Sequence, residues 1–183
     1  MRLDAVLAAD HVRVPGAAGS PGERAVPVPA IRDADPGATP PEIRTVSGET
    51  LFLPVGQRAD LEAFCTAHGI ARRCRADVWG DLLERFLDTE FTPEQHAATL
   101  ARLGQAGLEA DEVAAIRDRV APMVRVYNAV HQDWHHLGLA DLLDAADADW
   151  IPERERIAPA DRAAFRDWAM RIADRGRACP PEA

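Results

Sequence analysis

The chain is 183 residues long, enough for one domain that buries roughly two-thirds of its unfolded surface, so a disulfide-dependent mini-protein is excluded. Hydrophobic residues at 47% and charged residues at 28% are ordinary globular values, and no apolar run approaches the roughly 18 residues of a membrane span. Thirty acidic against 21 basic residues leave a net charge of −9, the wrong sign for non-specific attraction to phosphate backbones or anionic lipid, so neither nucleic acid nor membrane is expected as a partner. At the start of the chain Asp4 and Asp10 bracket only a short apolar run, so no secretory leader is expected and the cytoplasm is the expected compartment. Cys65, Cys74 and Cys179 are too few and odd in number for an oxidised framework; reduced thiols are expected.

Residues 2–14 are ambiguous: Leu3, Val6 and Leu7 suit a helix, Val12 and Val14 a strand, and the balance falls to a strand joining the hairpin that follows. Residues 15–41 carry seven prolines and four glycines. That composition predicts extended chain and turns, partly disordered, with an edge strand at most around Ala25-Val26-Pro27-Val28-Pro29. Ile43-Arg44-Thr45-Val46 and Thr50-Leu51-Phe52-Leu53 flank Ser47-Gly48, which predicts a β-hairpin over 43–55.

From Gln57 the period becomes helical. Leu61, Phe64, Cys65 and His68 share one stripe before Gly69. Asp77 caps a second helix with Val78, Trp79, Leu82, Leu83, Phe86 and Leu87 on a broad apolar face. Thr92-Pro93-Glu94-Gln95 combines an N-cap Thr, Pro at the first helical position and Gln at the third. A third helix therefore starts there, runs to about Gln105 and turns Ala97, Leu100 and Leu103 to the core. The fourth and longest stripe runs Val113, Ile116, Val120, Met123, Tyr127, Val130, Trp134 and Leu137, kinked at Pro122 and stopped by Gly138. Leu139, Leu142 and Leu143 make a short fifth helix; Ala164, Phe165, Trp168 and Ile172 make a sixth, ended by Gly176.

The expected fold is mainly α: a bundle-like helical domain over 57–176, a Pro/Gly-rich N-terminal arm over 1–56 containing the small β element, and a tail over 177–183.

Among groups that could carry chemistry, His131 and His135 come first. One helical turn apart, they can ligate one divalent transition metal, with His96, Asp88 or Glu90 completing the set and Tyr127 or Asp133 as a supporting or proton-transfer group. The alternative is a pair of half-buried, hydrogen-bonded histidines beside an aromatic stripe. In chain order His96 followed by His131 and His135 resembles the metal-binding bundles of the DinB and YfiT type; the resemblance covers those three residues, and the β-rich start departs from it. Arg72, Arg73 and Arg75 precede the second helix, where free backbone donors favour an anion; the alternative is a solvated connector pairing with Asp77 and Asp81. Asp141, Asp144, Asp147 and Asp149 need compensation, either from Arg154 and Arg156 or from a bound divalent cation. Cys65-x-x-His68 with Cys74 lacks a fourth zinc ligand at finger-like spacing. The Gly107-Leu108 turn resembles a helix-turn-helix, but Glu109, Asp111 and Glu112 would repel DNA. No nucleophile elbow or phosphate-binding glycine loop occurs. The leading expectation is a non-catalytic binding or protein-interaction module, with a protein partner reached through the N-terminal arm. A metal-dependent helical-bundle enzyme using the His-x-x-x-His pair is the alternative.

Overall fold

Alternation governs the first third of the chain. Val12 and Val14 are buried while Arg13 between them is exposed, the period-two pattern of a strand with one face on a core. In the computed structural model, which describes residues 5–15, 22–133 and 135–175, β1 (Val6–Leu7), β2 (His11–Pro15) and β3 (Glu23–Pro27) form an antiparallel sheet in that order. Val12 stands opposite Val26 in it. β4 (Ile31–Asp35), β5 (Glu42–Thr45) and β6 (Thr50–Phe52) form a second one. The predicted hairpin is β5–β6, turning at Gly48 with φ of +88°, a left-handed value that glycine adopts without strain. α1 (Arg58–His68) follows and stops at Gly69 with φ of +65°. Ile43, Leu53 and Leu61, each wholly buried, join Val12, Val26 and Phe64 in one core shared by both sheets and α1. Each such side chain contributes about 1.5–3 kcal/mol on leaving water.

The chain divides into two compact units that meet in sequence at Arg75 and Ala76. The second contains α2 (Val78–Leu83), a 3-10 turn over Glu84–Phe86, α3 (Pro93–Gln105), α4 (Ala110–His131), α5 (Leu139–Asp147) and α6 (Arg162–Ala173). Asp77 caps α2 through Gly80 N–H, and Thr92 with Gln95 forms the predicted reciprocal cap of α3. Trp79, 1% exposed, packs edge-on against Trp168 and donates its indole N–H to the Ala169 carbonyl at 2.9 Å. Arg119 lies over the Trp168 ring at 3.9 Å. No helix among the described residues is long and apolar enough to cross a membrane.

Five expectations are corrected. The chain is a mixed α/β protein, about 52% helical with 15% strand in two three-stranded antiparallel sheets, not a mainly α bundle with a small β element and an arm. The prolines are the reason: Pro15 and Pro27 close β2 and β3, and Pro29 sits in a 3-10 turn between β3 and β4. They punctuate short strands and do not abolish them. β1 pairs with β2 and β2 with β3, not with the hairpin. α3 buries Thr99 and Leu103, leaving Leu100 47% exposed and Ala97 on the surface. α4 runs through Pro122 but ends at His131, where Gln132 takes a left-handed φ of 54°. Cys65 is a buried free thiol, pushed up by burial, whereas Cys74 is disulfide-bonded, against the expectation of three reduced thiols. The readings that involve Leu3, Trp134, Gly176, Cys179 and the 177–183 tail fall on positions outside the described residues.

Candidate functional site

The 3-10 turn after α2, the loop to the α3 cap and the middle of α4 enclose an open cleft of about 670 Å³. Arg85 comes from the turn, Thr89, Glu90 and Phe91 from the loop, His96 and Leu100 from α3, and Arg117 from α4. The Thr92–Gln95 cap fixes where α3 starts, with Gln95 Oε1 accepting from Thr92 N–H at 2.7 Å, and so sets His96 one turn into the helix.

Arg117 is the anchored member. It is half-buried, and its Nε and Nη2 donate to the carbonyls of Leu82 and Asp81, both at 3.1 Å. Those carbonyls belong to α2, whose shortness leaves them to be satisfied from outside the helix. Burial first, then the like charge of Arg85, hold the Arg117 guanidinium below its ordinary pKa, against Glu84 and Asp81; a guanidinium stays cationic at neutral pH regardless. Arg85 is exposed, with its guanidinium carbon 5.7 Å from the Phe86 ring centre. Phe91 tilts against the His96 ring at 6.0 Å. The cleft thus offers two permanent cations, one carboxylate, an imidazole and two apolar side chains in a protein that is acidic as a whole.

Of the sequence-predicted metal ligands, His96 and Glu90 meet in this cleft. His131 does not line it: its ring stacks on Tyr127 at 3.9 Å, with Trp150 at 6.0 Å, and its Nδ1 lies 3.0 Å from the Tyr127 carbonyl. His135 is exposed and lies past the left-handed Gln132, so the pair does not share a helical face. Among the described residues no group of three or more His, Cys, Asp or Glu side chains comes together to hold a metal ion. The third histidine of the run, His136, instead pairs with Asp77 at 2.6 Å. That hydrogen bond raises its pKa, outweighing burial, with Asp141 and Asp133 adding to it.

The arginines expected to hold an anion are committed differently. Arg72 and Arg73 lie along β4 through a parallel bridge at Ala34, with Arg73 N–H donating to the Ala34 carbonyl at 2.8 Å. Arg73 is 67% exposed at its side chain and 3.9 Å from Asp33. Arg75 turns inward, pairing with Asp33 and, at 3.4 Å, with Glu42, while its backbone N–H donates to Asp35 at 2.8 Å. Arg44 completes this buried network at 3.1 Å from Glu42. Burial raises the Asp33 carboxyl, but bonds from Arg75 and Arg32 outweigh it and hold it below the usual range; for Glu42 burial prevails over Arg44 and Arg75 and pushes it up. Sequence reading missed Asp33, Asp35 and Glu42. Their signal was the alternation in Ile31-Arg32-Asp33-Ala34-Asp35, which sets both aspartates on one side of a strand.

The aspartate group around α5 is compensated from α6: Arg166 pairs with Asp147 and Arg162 with Asp149, both at 2.5 Å. Asp144 accepts from the Tyr127 hydroxyl at 2.9 Å, and Asp141 accepts from Gly138 N–H at 2.9 Å at the start of the helix. Asp77 and Asp81, expected to pair with the connector arginines, are bonded to His136 and Arg102. Comparison of the chain with protein-family models, curated proteins and solved structures gave no match.

Proposed function

We propose that the protein is a non-catalytic binding module whose cleft between the 3-10 turn, α3 and α4 receives an anionic group of its ligand. The observation that carries this reading is Arg117, a half-buried guanidinium oriented by two backbone carbonyls beside a second cation, Arg85. Two like charges held by a helical frame repel each other, and an anion between them removes that cost while gaining charge-assisted hydrogen bonds. The Pro/Gly-rich segment is taken up in the sheets from Glu23 onward, so the reading moves recognition from an arm to the cleft. Because the net charge of −9 repels anions at long range, affinity comes from local geometry. Two charge-assisted bonds at about 1.5–3 kcal/mol each, set against an association cost of at least about 4 kcal/mol, leave at most about 2 kcal/mol, so simple anions bind no tighter than tens of millimolar.

The test is thermal unfolding, followed by tryptophan fluorescence, in acetate, benzoate, phosphate and amino-acid salts against chloride at matched ionic strength. At ten times Kd the stabilisation is about 1.4 kcal/mol, a few degrees in Tm. Arg85→Gln, at an exposed position, weakens the shift without unfolding the protein. If none of these ligands moves Tm relative to chloride, the reading is wrong.

A further inference from the structure

Building on the cleft as a binding site, we infer that its ligand is a zwitterion with an apolar body, of the amino-acid class: the carboxylate on Arg85 and Arg117, the ammonium on Glu90, and the side chain against Phe91 and Leu100. The charged lining is what narrows the class. A cleft built for phosphate gains from cations alone, and the Glu90 carboxylate in the same lining opposes a dianion. A ligand that carries both signs uses all three charged groups. The apolar part follows from α3, which leaves Leu100 47% exposed on the cleft side while Thr99 and Leu103 go to the core. Phe91, half-buried and set against His96, supplies the facing apolar surface. The cleft volume of about 670 Å³ lies within the roughly 300–1,000 Å³ of small-molecule sites. Arg117 is held before any ligand arrives by the Leu82 and Asp81 carbonyls, so the carboxylate end is the pre-organised one.

The experiment compares L-phenylalanine, 3-phenylpropanoate, 2-phenylethylamine and inorganic phosphate by isothermal titration and by Tm, on the full chain and on Glu90→Gln, Arg85→Gln and Arg117→Met. The zwitterion binds best. Removing its ammonium, or introducing Glu90→Gln, weakens binding about threefold to fivefold, the size an exposed ion pair carries. 3-Phenylpropanoate is unaffected, or bound more tightly, in Glu90→Gln. Phosphate binding at least as tight as phenylalanine, or 3-phenylpropanoate binding equal to it and insensitive to Glu90→Gln, overturns the zwitterion while leaving the cleft an anion site. No binding by any of the four overturns both. Should Arg117→Met unfold, Arg85→Gln and Glu90→Gln, both at exposed positions, still decide the matter.

Discussion

Arg75→Met tests whether the first unit is held together by its buried charges. The side chain is 10% exposed, and its partners Asp33 and Glu42 are 3% and 8% exposed, so the substitution removes one cation from between two carboxylates that water barely reaches. Breaking a buried pair from one side costs about 3–5 kcal/mol because the surviving charge stays desolvated. The lower end applies here. Asp33 keeps Arg32 at 2.9 Å, Glu42 keeps Arg44 at 3.1 Å, and the backbone bond from residue 75 to Asp35 does not depend on the side chain. The expected loss is therefore about 3 kcal/mol. Trp79, Trp134, Trp150 and Trp168 all follow Arg75 in the sequence, so the readout is taken in the first unit itself. Amide hydrogen exchange over β4 and β5 reads it directly, as a fall in the free energy of opening. Adding Asp33→Asn to Arg75→Met recovers about half, because the stranded charge is gone. A loss under about 1 kcal/mol, or a double variant no better than the single one, refutes the argument.

Two further outcomes follow from the second unit. His136 has a folded pKa raised by Asp77, so its pairing stabilises fully below the ordinary histidine pKa of about 6.5 and is lost as pH rises through the folded value. Stability by tryptophan fluorescence should fall across that window, and in His136→Gln the fall should vanish; an identical pH profile in the variant counts against the pair. Thr92→Ala removes the oxygen that accepts Gln95 N–H at 3.3 Å and costs about 1 kcal/mol in urea unfolding. Because the cap also sets His96 in the cleft, Thr92→Ala should weaken ligand binding, which a purely distant effect on stability would not do.

Signals confined to three or four residues were legible. Thr92 with Gln95, Asp77 before α2, Gly69 after α1 and Gly48 in the hairpin each state a local hydrogen bond or a backbone angle that the residue type itself favours. What escaped depends on partners far along the chain. Strands were legible around Val12–Val14 and Ala25–Pro27, but not their pairing with each other, and β4 did not announce itself; the sheets exist because Val12, Val14, Val26 and Ile31 reach a core completed by α1. Residues 71–75 look like a charged connector, and only their pairing with β4 turns Arg75 inward.

The candidate site illustrates the same limit from the other side. Hydrophobic spacing carries the fourth helix in phase to Leu137, and on that helix His131 and His135 would be neighbours. The helix stops earlier because of Asn128, 3% exposed, whose side chain bonds both a distant segment and, in both directions, the Asp133 backbone. Its Nδ2 donates to the Phe86 carbonyl at 2.9 Å, and its Oδ1 accepts from Asp133 N–H at 2.9 Å. A buried amide that binds another segment and the chain beyond the helix end offers the backbone an alternative to continued helix. Gln132 takes the left-handed turn that this requires. The periodicity was real, and Leu137 is buried as it implies, but an apolar residue reaches the core from a loop as well as from a helix. Spacing therefore predicted the buried positions Val113 to Tyr127 and Leu137 but not Val130, which is 64% exposed, and a hydrogen bond across 42 positions helped decide where the helix stops.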